Sequence, residues 1–418
     1  MALIADDPAR TGQLRECSGC GLLHAVPPMA PGVAARCMRC PTSLLPAATH
    51  PLEYSVALTL AALVLLVVMC TTTLMSVQTS GISHSADLFA GPMELVRRHM
   101  TALAVVVVFV TVVAPLGKLT GTLYVLLRLN ERDPPDHLRR VFSWAEQLRP
   151  WSMIEVFVFG VFVAYTKLGD LVTITLDAGV YALLALTLVV IWADSALDRE
   201  ATWERLRRRD APDASPRGEA IGCELCGLVS RVNQEDQRCP RCESRLHSRK
   251  PGSIERTWAL VIAAAVLYVP ANYFPVLTVE QLGAGSPATI LGGVKELIES
   301  GMYPLAALVF FASVAVPMLK LVGLVVMLIA TQTRRSGWLR DRTRLYHIVR
   351  WIGRWSMIDI FMESLLGALV QFGSVVTIEP GIGAVAFCGV VILTIFAAET
   401  FDPRLMWDAP TVSQSAPA

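Results

Sequence analysis

Trp355-Ser356-Met357-Ile358-Asp359-Ile360-Phe361 opens an apolar run late in the chain, and Pro317-Met318-Leu319-Lys320-Leu321 lies inside the run before it. The same two phrases occur earlier, as Trp151-Ser152-Met153-Ile154-Glu155-Val156-Phe157 and Pro115-Leu116-Gly117-Lys118-Leu119. A lysine and a carboxylate inside segments that otherwise dissolve in lipid are costly, so such groups mark candidate working parts. Their recurrence reads as a duplication: Lys118 aligns with Lys320 at an offset of 202 residues, and Trp151 with Trp355 at 204.

The surrounding runs set the class. At 418 residues, 54% hydrophobic and 17% charged, the chain is too apolar for an ordinary soluble protein. Apolar stretches at 54–77, 101–127, 151–165 and 171–193 recur at 257–279, 303–330, 355–372 and 375–398. About 20 helical residues cross a ~30 Å hydrocarbon core, and the short third run is flanked by Trp151 and Tyr165, which suit helix ends at an interface. A tight turn at Lys167, Gly169 and Asp170 joins runs three and four. Because each unit has an even number of spans, both copies share one orientation. The expected fold is an all-α polytopic membrane protein built from two parallel tandem repeats of four transmembrane helices.

Lys plus Arg number 4, 5, 13 and 7 in the N-terminal segment, the loop between spans two and three, the central linker and the loop between spans six and seven. On the opposite side the loops hold 2, 1, 1 and 0, which predicts cytoplasmic N- and C-termini. The first fifty residues have no basic segment leading into an apolar stretch, so no cleavable signal peptide is expected. The opposite-side loops, with short helices expected around Met93–Arg97 and Val294–Ile298, read as flexible and project no more than ~40 Å.

Eight of the ten cysteines form four C-x2-C pairs. Cys17, Cys20, Cys37 and Cys40 make one set, and Cys223, Cys226, Cys239 and Cys242 the other, with 16 and 12 residues between the pairs. Two such turns complete a tetrahedral four-thiolate site. Zinc makes each module a redox-inert staple of zinc-ribbon type; iron makes it a rubredoxin-like electron carrier. The domains are then a metal module at 1–50, a four-helix unit at 51–198, linker and second module at 199–252, a second four-helix unit at 253–403, and a disordered tail at 404–418.

Lys118 and Glu155 fall in the cytoplasmic half of the membrane, within reach of an ion pair. Lys320 is similarly placed, and Asp359 and Glu363, spaced i,i+4, share one helix face. Snorkelling or a static ion pair explains such residues structurally; a proton- or substrate-sensitive network explains them functionally. Pro115 and Pro317 free a helix carbonyl beside each lysine. Glu363 has Phe159 as its counterpart, and Asn272 stands in a proline-bounded stretch that has no first-half equivalent, so the working site is expected in the second half. No phosphate loop, H-E-x-x-H or G-x-S-x-G arrangement occurs, and no enzyme activity is expected.

Two cysteine modules, each followed by four spans with P-x2-K-L and W-S-M-I-acid phrases, resemble the paraquat-inducible protein A family over residues 15–403. The resemblance implies a Gram-negative inner-membrane subunit that works with a periplasmic MCE-domain protein in moving phospholipid between membranes, with no nucleic-acid partner. It maps the metal ligands to the eight paired cysteines, with zinc the expected ion. The polar network maps to Lys118, Glu155, Lys320, Asp359 and Glu363, joined by Ser356 and Asn272. Beside it stand two alternatives, an iron-bearing redox carrier and a structural anchor for an MCE ring.

Overall fold

The computed structural model describes residues 13–27, 33–45, 52–79, 82–129, 131, 135–168, 173–206, 219–232, 238–281, 284–334, 337–369 and 376–408. The helices of the first half are α1 (Leu52–Thr71), α2 (Ala90–Arg97), α3 (Thr101–Val108), α4 (Ala114–Arg128), α5 (His137–Leu148), α6 (Ile154–Leu168), α7 (Ala178–Ala196) and α8 (Arg199–Arg205). Those of the second are α9 (Ser253–Tyr273), α10 (Ile290–Glu299), α11 (Tyr303–Phe310), α12 (Val316–Gln332), α13 (Leu339–Trp355), α14 (Ile358–Leu369) and α15 (Ile382–Thr400). Lys167 still belongs to α6, while Gly169 and Asp170 of the expected turn lie outside the described residues.

Among the described residues seven helical stretches are long and apolar enough to cross a membrane, so the protein is a multi-pass membrane protein by composition and length. The eighth expected span, 355–372, is not one of them. The chain stops being helical at Ser356–Met357, residues 370–372 of the expected span lie outside the described residues, and α14 is described over Ile358–Leu369. Of those residues only Ala368 escapes full burial. A helix enclosed on nearly every face despite Asp359, Glu363 and Ser364 sits inside the protein, and α14 packs on α6 and α2 of the first half. Gly160 of α6 and Gly91 of α2 permit the approach, since a Cβ on Gly160 stands 2.7 Å from Phe361 Cβ and one on Gly91 meets Ser364 Oγ at 2.3 Å.

The two Trp-Ser-Met-Ile-acid phrases therefore face each other across the middle of the molecule. Phe157 and Phe361, equivalent positions of the two copies, meet edge to face with centroids 5.4 Å apart, and Phe159 meets Trp355 at 4.9 Å. Such pairs add about 0.5–1.5 kcal/mol each beyond their burial.

The expected proline kinks take a definite form. A π-helical turn spans Phe109–Val113 just before Pro115 and another spans Phe311–Ala315 just before Pro317. Proline lacks the N–H for the carbonyl four residues back and crowds it, and a turn of i→i+5 pairing relieves both conflicts. The first π turn touches α6 and the second α14.

The fold is mostly helical rather than all-α, and the supposedly flexible loops are paired strands. β1 (Gln13–Glu16) pairs with β2 (Leu23–Val26), and β3 (Ala35–Arg36) with β4 (Ser43–Leu45). β5 (Thr73–Thr79), β6 (Ile82–Asp87) and β7 (Thr173–Leu176) form an antiparallel sheet in the order β6-β5-β7, with Met75 opposite both Ala86 and Leu176. β8 (Glu219–Gly222) pairs with β9 (Val229–Val232). β10 (Leu277–Gln281), β11 (Ala284–Ala288) and β12 (Val376–Pro380) form a sheet in the matching order β11-β10-β12. Backbone groups beside a membrane need partners, and Thr- and Val-containing segments supply them as ladders. The helices expected around Met93–Arg97 and Val294–Ile298 lie within α2 and α10.

Candidate functional site

Lys320 sits on α12 with a side chain 2% exposed. Its ammonium donates to Ser356 Oγ at 3.2 Å and to the Gly353 carbonyl at 3.5 Å. Both acceptors belong to the end of α13, where unpaired carbonyls concentrate partial negative charge. Two residues later α14 begins, and Asp359 occupies its first turn, where the helix end favours a carboxylate. The break at Ser356–Met357 thus offers a helix C-terminus to the lysine and a helix N-terminus to the aspartate. Discontinuous membrane helices build binding sites in this way. Glu363 follows one turn along the same helix, and Asp359 and Glu363 are 5% and 4% exposed. Ser364, also buried, adds a hydroxyl beside them. A buried charge is costly unless compensated, so burying Asp359 and Glu363 on the helix that starts at the break, and Lys320 on the helix that reaches it, is a high-stakes arrangement.

The first-half lysine is arranged differently. Lys118 pairs with Asp194 at 2.7 Å, not with Glu155 as its position suggested. Asp194 stands near the end of α7, is 29% exposed, and also lies 3.8 Å from Arg199. Glu155 instead meets Arg354 of the second half at 3.5 Å. Asn272 donates to the Tyr268 carbonyl of its own helix at 2.9 Å, an i−4 back-bond. The structure thus gathers Lys320 and Ser356 on the break that α14 extends, and sets Lys118, Glu155 and Asn272 elsewhere. Asp194 and Arg354 were missed because each reads in sequence as an ordinary polar residue at the end of a span.

The eight paired cysteines close into two cages. All four sulfurs of each set lie within 4.8 Å of one another. Cys17–Cys40 and Cys223–Cys242 are 3.4 Å apart, and Cys20–Cys37 and Cys226–Cys239 are 3.6 Å apart. A tetrahedral ion with bonds of about 2.3 Å to sulfur needs edges of about 3.8 Å, so the donor set fits a thiophilic metal. Gly21 and Gly227 follow the first pair of each set at φ 71° and 70°, the left-handed conformation that lets the chain turn back over the thiolates.

Each cage docks on the half of the protein that does not follow it. In the first module Thr42 Oγ1 lies 3.0 Å from His347 Nε2, and the Arg39 guanidinium stacks 4.4 Å over Trp407, whose indole donates to Thr343 Oγ1. In the second, Arg241 is buried between Glu200 and Glu204 at 2.9 and 2.6 Å, and Arg140 donates to Glu243 at 2.9 Å. Ile221 and the second cysteine set share one apolar cluster with Leu138, Phe142 and Trp203.

Arg404, in the expected disordered tail, clasps the two modules to the membrane helices. Residues up to 408 are folded here, and 409–418 lie outside the described residues. Its guanidinium is buried and reaches Asp402 at 3.0 Å, Glu16 at 3.2 Å and Glu224 at 2.5 Å. Burial alone would oppose both charges, yet the contact holds the Asp402 carboxyl below its usual range and the Arg404 guanidinium above its own. Arg404→Ala removes the cation shared by Asp402, Glu16 and Glu224, leaving only Arg249 and Lys250 at 3.8 Å from the last two. It is expected to cost about 3–5 kcal/mol, read as a lower unfolding midpoint of the purified chain; an unchanged midpoint refutes the clasp.

Comparison with known proteins follows the same division of the chain. The family model described as paraquat-inducible protein A matches residues 52–207 and again residues 254–411. The chain is 32% identical over 410 residues to the intermembrane transport protein PqiA of Escherichia coli K12, covering 95% of this chain and 96% of that one. It is 30% identical over 404 residues to the lipophilic envelope-spanning tunnel protein A of the same organism, covering 95% and 92%. A probable intermembrane transport protein of Haemophilus influenzae is 25% identical over 413 residues, 97% of each chain. No solved structure matches.

Proposed function

Since the chain belongs to the paraquat-inducible protein A family, we propose that it is the inner-membrane subunit of a system that carries phospholipid between the inner and outer membranes. The relatives' names, intermembrane transport protein and envelope-spanning tunnel protein, support the class. In this reading both modules and both termini are cytoplasmic, the two three-stranded sheets face the periplasm, and a periplasmic MCE-domain protein continues the path outward. The twice-matched family model, the matching sheets and the matching π turns favour two parallel units, each with a zinc-bearing module. The eight paired cysteines hold the ions, which serve as staples, and no step of transport is assigned to them.

The observation that carries the reading is the helix break at Ser356–Met357, with Lys320 on one side and Asp359 and Glu363 on a fully enclosed helix on the other. Lys320, Asp359 and Glu363 are the working groups, responding to protons or to a lipid headgroup, and Ser356 orients the lysine. Lys118, Glu155 and Asn272 hold the frame. The test is transfer of fluorescent phospholipid from vesicles containing the protein to a soluble MCE-domain acceptor. Transfer that requires the protein is expected, and transfer at the same rate from protein-free vesicles would reduce it to an anchor.

A further inference from the structure

We propose that a basic crevice where the two halves meet, on the module side of the membrane, binds the phosphate headgroup of an anionic phospholipid such as phosphatidylglycerol. The inference rests on the lipid-transport reading and deepens it, naming the headgroup class and the leaflet. A cavity of about 730 Å³ lies under the second module, and a second of about 280 Å³ adjoins it, the two sharing Arg149, Arg350 and Ile395 as walls. Arg354 completes the basic rim. Trp151 and Phe396 form the floor, ring centroids 5.2 Å apart, with Phe396 still 42% exposed on the outer surface. The crevice thus has a cationic mouth over an aromatic floor that opens sideways toward lipid, an arrangement suited to a headgroup above and acyl chains below.

Charge distribution separates Arg149 from its neighbours. Arg350 is held by both oxygens of Glu399 at 2.9 Å, and Arg354 by Glu155 at 3.5 Å. For Arg149 the nearest carboxylate among the described residues is Asp194 at 4.0 Å. That one carboxylate already serves Lys118 at 2.7 Å and Arg199 at 3.8 Å. Glu146, on the wall of the larger cavity, holds Arg199 at 3.0 Å, so three cations face two carboxylates and local positive charge remains at Arg149, whose exposed guanidinium fork matches a phosphate bidentately. Arg149, in the turn that opens the first Trp-Ser-Met-Ile phrase, and Arg354, in the last turn of α13 before the second, come from different halves, so the site exists only where both halves meet. A zwitterionic headgroup would set an ammonium against these arginines, which selects for net negative lipid.

Native mass spectrometry of the purified full chain, equilibrated with phosphatidylglycerol or phosphatidylethanolamine, tests the site. Phosphatidylglycerol is expected to be retained at least tenfold more than phosphatidylethanolamine, and Arg149→Gln with Arg354→Gln to remove that preference. Equal retention of the two lipids by the unaltered chain overturns the proposal without any variant. Millimolar glycerophosphoglycerol or inorganic phosphate is expected not to displace the lipid; displacement would make the site one for soluble phosphate and overturn the lipid assignment. Transfer measured on the same samples separates the two readings. Selective retention without any transfer upholds the crevice and sinks the transport reading, whereas unselective retention with normal transfer sinks the crevice alone.

Discussion

Lys320→Met is expected to abolish phospholipid transfer, a loss of at least tenfold, or about 1.4 kcal/mol, while the protein still folds and inserts. The substitution keeps the length of the side chain and removes the ammonium that bonds Ser356 Oγ and the Gly353 carbonyl. Losing those bonds in a buried site costs about 1–3 kcal/mol, visible as a lower unfolding midpoint. Asp359→Asn is expected to lose transfer equally. The double variant Lys320→Met with Ser356→Ala, which removes the ammonium and the hydroxyl it bonds, separates a static contact from a working one. Replacing both partners of a buried hydrogen bond by apolar groups can be nearly neutral for stability, so a purely structural contact predicts that the double variant recovers both midpoint and transfer. A working site predicts recovery of the midpoint alone. Recovery of transfer would sink the proposed role of these residues.

The asymmetry of the two halves bears on that result. Both lysines are buried, but Lys118 meets a partly exposed carboxylate shared with two arginines, whereas Lys320 reaches a helix end. Lys118→Met therefore removes a buried lysine from a carboxylate that keeps two arginines within 4.0 Å, and is expected to lower the unfolding midpoint without stopping transfer. The two halves share their sheet order and their π turns but differ in what their buried lysines reach.

How much of this the chain disclosed beforehand follows from the range of each interaction. Lys320 and Asp359 stood out because hydropathy is a local property and a charge interrupts it. The cysteine cages were legible because each knuckle is four residues long and the metal chemistry fixes what two knuckles do together. Partners were not legible. Arg354 lies 199 residues from Glu155, and Thr42 lies 305 from His347, so no periodicity connects them. The short sheets hid behind the apolar runs they border. The burial of α14 depends on Gly160 and Gly91, whose sequence neighbourhoods say nothing of the helix that approaches them. The break at Ser356–Met357 falls where the apolar run opens, so the sequence marked the start of that segment but not that the Arg-rich α13 runs helically into it.

Cys223→Ser is expected to have the largest effect on the folded protein, because the second module is part of a continuous core rather than an appendage. Its four sulfurs share a cluster with Leu138, Phe142 and Trp203, and the residue beside Cys223, Glu224, holds Arg404. A structural four-thiolate zinc site supplies about 10–16 kcal/mol of apparent folding free energy, more than the whole net stability of most domains. Removing one thiolate is therefore expected to release the ion, lower metal content from two ions per chain to one, and expose the linker to limited proteolysis. Cys17→Ser should also halve the metal but act elsewhere, loosening Thr42 and Arg39 from α13 and Trp407. Elemental analysis of the unaltered protein identifies the ion: two zinc with no visible absorption supports staples, and iron with a coloured thiolate spectrum supports the electron-carrier alternative. Retention of both ions by Cys223→Ser would show that the cage geometry does not report a metal site. If instead the ion is lost and Lys320-dependent transfer persists, the modules stabilise the protein without taking part in transport, even though the first module holds α13, the helix whose end bonds Lys320.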